Sequence, residues 1–402
     1  MKVGIPIAGF MDWGGGIDFL RIILKGLNAV QETYNLQLVI LVPESKKLSY
    51  VDQFKLQIKK TINYLSSSNR FTTSIPKHDI QQIKTTLSKE AKFDFLFYAN
   101  SKQDLIQICK NENIEVLAPS YFNLGSSFPI SWVGYIPDFQ HKYYPAFFSV
   151  KELRIREKIF VNYLSEAKTI VVNARAVKHD IAKFYGDVKA EIFSLPFCPL
   201  YNSSEQKKGI DISKFKLPEN YFLISNQFWK HKDHATAFKG FAEFIKTSNI
   251  DVHLVCTGSM SDYRFPDYIN YLKRLIAELG IENKLHLLGY ILKEEQKEIL
   301  LKSKALIQPT LFEGGPGGGA VYEALANGIP ALMSDIPVNC EIQNPLAYFF
   351  KVGDEKDLAS KMNDILHVKK VLPESLIEFQ YRETKALGNE ILKAINHVLK
   401  HD

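Results

Sequence analysis

The chain has 402 residues and a mass of 45.9 kDa, the size of two ordinary domains. Hydrophobic residues make up 46 % and charged residues 23 %, a balance that supports a buried core and excludes a disordered or fibrous chain. The net charge of +6 is uneven, because residues 1–200 carry 25 Lys and Arg against 18 Asp and Glu while residues 201–402 carry 25 against 26, so the surplus lies in the first half, where a basic face suits phosphates or an anionic membrane surface.

The opening MKVGIPIAGF, with alternating Val3, Ile5 and Ile7, reads as a first strand with no signal peptide before it. A glycine-containing loop follows, then Leu20, Ile23, Leu24, Leu27 and Val30 at helical spacing, then a second strand over Leu36–Val42. This β-α-β opening predicts a parallel, doubly wound α/β sheet. The apolar run LVILV at Leu38–Val42 is among the longest and is strand-sized, well short of the roughly 20 residues of a membrane span. Between Lys46 and Lys92 a Ser-, Thr- and Lys-rich insertion reads as helix plus loop, and its segment VDQFKLQIKKTINYL pairs an apolar stripe with a basic face. Strands are predicted again at Phe93–Ala99, Ile114–Leu117, Thr169–Val172 and Glu191–Leu195. The Pro- and Ser-rich stretch Pro196–Asn220 is the expected linker between a first domain over 1–195 and a second over 221–380. Strands restart at Tyr221–Ser225, Val252–Gly258, Lys284–Tyr290, Ala305–Thr310 and Pro330–Asp335. A terminal helix is expected over 381–402, packing back on the first domain. The four cysteines, Cys109, Cys198, Cys256 and Cys340, form no CxxC pair and no histidine lies at a ligand spacing, so neither a zinc site nor a disulfide framework is expected and a reducing cytoplasm fits.

The passage PTLFEGGPGGGAVYEALANGIPALMSDIP, Pro309–Pro337, carries the clearest chemistry. A strand ends at Pro-Thr, then come Glu313, the glycines Gly314, Gly315, Gly317, Gly318 and Gly319, a short helix bearing Glu323, a capping Gly328 and another strand. Glycines let backbone approach a bulky anion and aim N–H groups at it, and a helix N-terminus adds partial positive charge. The loop therefore reads as a diphosphate site, Gly314–Ala320, with Glu323 placed for the hydroxyls of a ribose and Glu313 for the group on the far phosphate. The bland alternative is a flexible turn with two surface carboxylates.

The passage resembles the signature of the retaining nucleotide-sugar glycosyltransferases of the GT-B fold, group 1 (family four): E-G-x-G-x-x-x-x-E, then A-x-x-x-G-x-P. Glu313 and Glu323 take the acids, and Ala324, Gly328 and Pro330 the second element. Nine residues separate the acids here, where the family normally has a shorter loop. Other matches follow in family order. ISNQFWKHKDHATAFKGF, Ile224–Phe241, resembles the G-R-x-x-x-x-K-G stretch whose Arg and Lys neutralise the diphosphate: Lys232 falls on the Lys and Gln227 on the Arg. Gln supplies no charge, with Lys230, His231 and His234 as possible substitutes. Tyr290 and Ile291 correspond to the backbone that reads the base, and Gly258, in CTGSM, to another phosphate-side loop. In the first domain Gly14–Gly16 match the glycines beside diphosphate and acceptor, with Gly15 and Gly16 taken as the contacts. YIPDFQHKYYP, Tyr135–Pro145, resembles the His-Asp segment near the reaction centre, with Asp138 on the Asp, Pro137 on the His, and His141 the nearest imidazole. Arg175 and Lys178 match acceptor- or diphosphate-side positions, though surface charge is the stronger reading.

The resemblance implies two Rossmann-like domains facing across a cleft that closes about the linker, and retaining transfer of a sugar from a UDP- or GDP-linked donor to a hydroxyl. The catalytic candidates are Glu313, Lys232, His141 and Asp138. Fixed donors around the leaving diphosphate would lower the barrier. With no Asp-x-Asp pair the reaction is expected to need no metal and no cofactor. The basic first half points to an anionic or lipid-linked acceptor in envelope glycan synthesis, a cytoplasmic protein touching the inner membrane face, and no nucleic-acid partner. Two rivals stand beside this reading: a nucleotide-sugar isomerase on the same scaffold, and a nucleotide-sugar-binding protein without turnover.

Overall fold

The computed structural model describes residues 1–12, 15–44, 77–99, 101–198, 210–371 and 376–401. The segment VDQFKLQIKKTINYL, Gly14, and residues 199–209 of the expected linker lie outside them. The chain divides into two compact units: Met1–Pro196 with Tyr381–Asp402, and Phe197–Gln380.

In the first unit the strands are β1 (Lys2–Pro6), β2 (Gln37–Glu44), β3 (Asp94–Ala99), β4 (Val116–Ser120), β5 (Ser131–Ile136), β6 (Thr169–Val172) and β7 (Glu191–Ser194). They form one parallel sheet in the order β3-β2-β1-β4-β5-β6-β7. Its order reverses between β1 and β4, the switch point of a doubly wound fold. The helix Gly16–Gln31 buries Phe19, Leu20, Ile23, Leu24, Leu27 and Val30, as the spacing predicts. The sequence reading has no strand at β5, and the structure gives the reason. Gly134 interrupts the apolar run because a Cβ there would lie 2.4 Å from the Tyr163 ring. The Tyr163 hydroxyl occupies that space, donating to Ser120 O at 2.5 Å and accepting from Tyr135 N at 3.0 Å. The C-terminal helix Ile377–Lys400 crosses Gly16–Gln31 at a glycine pair, where a Cβ on Gly388 would lie 2.1 Å from Gly26 O.

The second unit holds β8 (Tyr221–Ser225), β9 (His253–Thr257), β10 (Leu285–Gly289), β11 (Ala305–Gln308), β12 (Ala331–Ser334) and β13 (Ala347–Phe350), all parallel, in the order β10-β9-β8-β11-β12-β13. Period-two alternation divides its core. Phe222, Ile224, Leu254, Cys256 and Ile307 face the helices His234–Thr247 and Glu355–Leu366, through Phe238, Phe241, Phe244 and Met362. Tyr221, Leu223, Val255, Leu306 and Met333 face Lys293–Lys302 and Gly318–Ala326, through Ile299, Val321 and Leu325. Phe197 and Ile212, within the expected linker, belong to this second core. The edge strand β13 is not among the strands read from the sequence. Among the described residues no helix is long and apolar enough to cross a membrane. Both units have the Rossmann-like layering expected from the sequence.

Candidate functional site

The second sheet reverses its order between β8 and β11, and ligands of open α/β sheets bind beyond the carboxyl ends of the strands at such a point. The loops that leave β8 and β11 carry the residues singled out above. After β8, Asn226, Gln227 and Phe228 lead into a 3-10 turn, Lys230–Lys232. Asp233 ends that turn in the left-handed region, φ +50°, and its carboxylate caps the next helix by accepting from Thr236 N at 3.3 Å. The geometry projects Lys232 toward the second loop, where its ammonium pairs with the Glu313 carboxylate. Each side chain of that pair is only 12 % exposed.

Behind the pair lies a chain of amides that the sequence reading missed. Asn226 Nδ2 donates to Gln308 Oε1 at 2.7 Å, and Gln308 Nε2 donates to Glu313 Oε1 at 2.9 Å. Gln308 is buried at the end of β11, so its amide is held by these partners and in turn fixes the carboxylate. The available signal was a polar residue closing an apolar strand, ALIQ.

The glycine loop is pinned as well. Asn339 is fully buried, accepts from Gly317 N at 2.8 Å and donates to Ser334 O at 2.9 Å. Gly317 and Gly318 both have positive φ, +66° and +68°. Gly318 N donates to Pro316 O, so both amides are already committed, Gly317 to Asn339 and Gly318 within the loop. The first turn of Gly318–Ala326 then presents the Gly319 and Ala320 amides, which an α-helix leaves without intrahelical acceptors. Gly314 and Gly315 lie between this turn and Glu313, Gly319 is exposed, and Glu323 is half-buried in the second turn. The helix closes in a Schellman arrangement: Ile329 N to Ala324 O, and Gly328 N to Leu325 O with Gly328 at φ +72°.

Gly258, after β9, adopts φ +132°, and a Cβ there would lie 2.0 Å from Asn226 O. The loop thereby packs on the backbone that begins the Lys232 turn. Gln227 turns toward the same loop, its Oε1 accepting from Ser259 N at 3.0 Å. His231 and His234 are buried, and burial holds their pKa values down to about 2 and about 3. Both imidazoles are neutral, so neither supplies the charge that Gln227 lacks. Tyr290, beyond β10, is 77 % exposed, while the neighbouring Ile291 packs against the core.

Comparison with known proteins finds a family likeness in this unit. Residues 205–382 match the family model described as glycosyl transferases group 1. Over that stretch the chain is similar to the group 1 glycosyl transferases. It is 27 % identical over 249 residues to the O-antigen chain mannosyltransferase RfbU of Salmonella typhimurium, covering 61 % of this chain and 62 % of that protein. The chain thus spans less than two thirds of the length of the curated relatives it matches. Its fold is that of Alr3699/HepE from Anabaena, solved in complex with UDP, with a TM-score of 0.56 and 13 % identity over 99 % of this chain and 95 % of that one. Sucrose-phosphate synthase of Thermosynechococcus elongatus gives a TM-score of 0.54 and 11 % identity, again over 99 % and 95 % of the two chains. The matched stretch thus lies almost wholly in one of two Rossmann-like α/β units of the GT-B fold.

In the first unit Gly15 and Gly16 open the helix after β1, and a Cβ on Gly16 would lie 1.6 Å from Phe10 O. Only glycine fits that contact. Asp138 follows β5 and accepts from Gln140 N at 2.9 Å. His141 is buried at 3 % exposure, its ring stacked on Phe160 at 5.2 Å and its Nε2 3.6 Å from Glu157 Oε2. Burial, with Arg156 nearby, holds its pKa below the ordinary histidine range. Arg175 begins the helix Arg175–Tyr185, and Lys178 donates to Ile192 O at 2.6 Å.

Proposed function

We propose that the protein transfers a sugar from a nucleoside diphosphate sugar, UDP- or GDP-linked, to a hydroxyl acceptor in the assembly of an envelope polysaccharide. The observation that carries this reading is the Lys232–Glu313 pair lying beside a glycine loop and helix N-terminus at the switch point of a group 1 domain. The names of its relative and neighbour, an O-antigen mannosyltransferase and a UDP complex, support the polysaccharide context and the nucleotide.

In this reading the leaving diphosphate meets the Lys232 ammonium and the first-turn amides of Gly319 and Ala320. Negative charge growing on the phosphate oxygen is stabilised there without reorganisation. Glu313, fixed by Gln308, aligns Lys232 and positions the sugar when donor enters, while Glu323 holds the ribose. The departing oxygen takes the acceptor proton, so configuration is retained and the chemistry uses neither a carboxylate nucleophile nor a metal. The first unit, with Gly15, Gly16, Asp138 and the basic surplus, receives the acceptor, an anionic or lipid-linked one.

A thermal-shift panel of UDP-, GDP- and ADP-sugars tests the donor half. A cognate donor at a hundredfold over its Kd stabilises the fold by about 2.7 kcal/mol. At the same donor concentration that stabilisation should fall to about 0.4–1.4 kcal/mol in Lys232→Ala, and a flat response to every nucleotide in the wild type contradicts the reading.

A further inference from the structure

Three loops meet beside Lys232, and one buried ion pair joins them. Asp262, in the loop after β9, has a fully buried side chain. Its Oδ2 accepts from Lys230 N at 2.9 Å, which fixes the turn that carries Lys232, and its Oδ1 accepts from Arg264 N at 3.0 Å. The Arg264 side chain is 11 % exposed, and its Nε lies 3.7 Å from Asp262 Oδ1. Its Nη2 lies 3.4 Å from His231 Nδ1, and its guanidinium carbon 5.7 Å from the centroid of the Trp229 ring. His231 passes the constraint to the glycine loop, since its carbonyl accepts from Leu311 N at 2.8 Å and from Thr310 Oγ1 at 3.1 Å. Leu311 stands two residues before Glu313. The path therefore runs from the β9 loop through Asp262 and Arg264 to both ends of the Lys232–Glu313 pair.

We propose that Asp262 and Arg264 are positioning residues that lock the Lys230–Lys232 turn to the Thr310–Glu313 segment, so that Lys232 meets a diphosphate in a prearranged place. A buried pair of charges is retained here at a desolvation cost, and the shared contacts to three loops explain its placement. The neutral state of His231 fits the arrangement, because its Nδ1 accepts from the guanidinium. The nucleotide part of the proposal rests on the glycosyltransferase reading. The positional part does not.

Hydrogen exchange on the full-length protein without nucleotide tests the positional part. In Arg264→Met, peptides spanning 229–233 and 310–314 should exchange about tenfold faster, an effect of the size expected when a hydrogen bond to a charged group is lost, while β8 and β9 keep their protection. Wild-type exchange in those two peptides, or uniform acceleration across the unit, overturns the proposal. Calorimetric titration with UDP and GDP tests the consequence. Whichever nucleotide binds the wild type should bind Arg264→Met about tenfold more weakly and Arg264→Lys with intermediate affinity. In a Lys232→Ala background the Arg264→Met loss should shrink below about twofold, because residues acting through one group are not additive. Equal losses in both backgrounds overturn the proposal. Failure of the wild type to bind any nucleotide counts against the glycosyltransferase reading alone, since the exchange result stands without ligand.

Discussion

Lys232 and Glu313 were legible from sequence as separate residues, 81 positions apart; what pairs them was not. The pairing depends on Asp233 reversing the chain at φ +50° and on Gln308 holding the carboxylate, features of backbone and burial that no spacing encodes. Replacing Lys232 by Ala should weaken diphosphate binding by roughly ten- to a hundredfold, the range for a charge-assisted contact, and equal affinity in a titration would contradict the assignment. The two histidines nearby make a second expectation. His231 and His234 have folded-state pKa values of about 2 and about 3, against about 6.5 unfolded. Below pH 6.5 the unfolded chain therefore binds more protons, and stability falls as pH drops, by about 1.4 kcal/mol per pH unit for each residue until its folded pKa is reached. Urea midpoints measured between pH 7 and pH 5 should decline, less steeply in His234→Phe, whose ring keeps the stack on Phe228 seen at 4.0 Å. An unchanged slope in that variant would contradict the buried, neutral state.

At the scale of the element, the helix Gly318–Ala326 shows why the glycine passage could be read and where that reading stopped. Strand, glycine loop, helix and cap follow in sequence order, and each has a local cause: positive φ at Gly317, Gly318 and Gly328, and apolar Val321, Ala324 and Leu325 on one face. The division of labour among the glycines is set by tertiary contacts instead. Asn339, 22 residues beyond Gly317, takes one amide out of play, and its role has no signature in the string of letters. Gly328→Ala should be costly, because its Cβ would lie 1.8 Å from Val371 O in a left-handed conformation. A loss of about 1–3 kcal/mol is expected for such strain, lowering Tm by roughly 2–12 °C for a unit of this size. A calorimetric Tm within a degree of wild type would show that the cap relaxes freely. Strands β5 and β13 escaped the sequence reading, β5 because Gly134 breaks an apolar run to admit Tyr163.

For the whole molecule, alternating strands and helices were enough to give two doubly wound units, because parallel sheets buried on both faces leave continuous apolar runs. The order within each sheet, with its reversal at β1/β4 and β8/β11, follows from handedness and connectivity rather than composition. Charge separates the two halves of the chain, and the proposed acceptor gives that asymmetry a use. Vesicles containing anionic lipid should retain the protein at low salt and release it as ionic strength rises, since exposed charges are screened within about 10 Å at 0.1 M salt. Equal recovery from neutral and anionic vesicles would remove the membrane from the proposal. The central claim is glycosyl transfer, and it is tested most directly by following the identified donor with a membrane-lipid acceptor extract by NMR. The account predicts free nucleoside diphosphate and a new glycoside of unchanged anomeric configuration in equal amounts, both lost in Lys232→Ala. Conversion of the donor to an isomer without release of nucleoside diphosphate would contradict it.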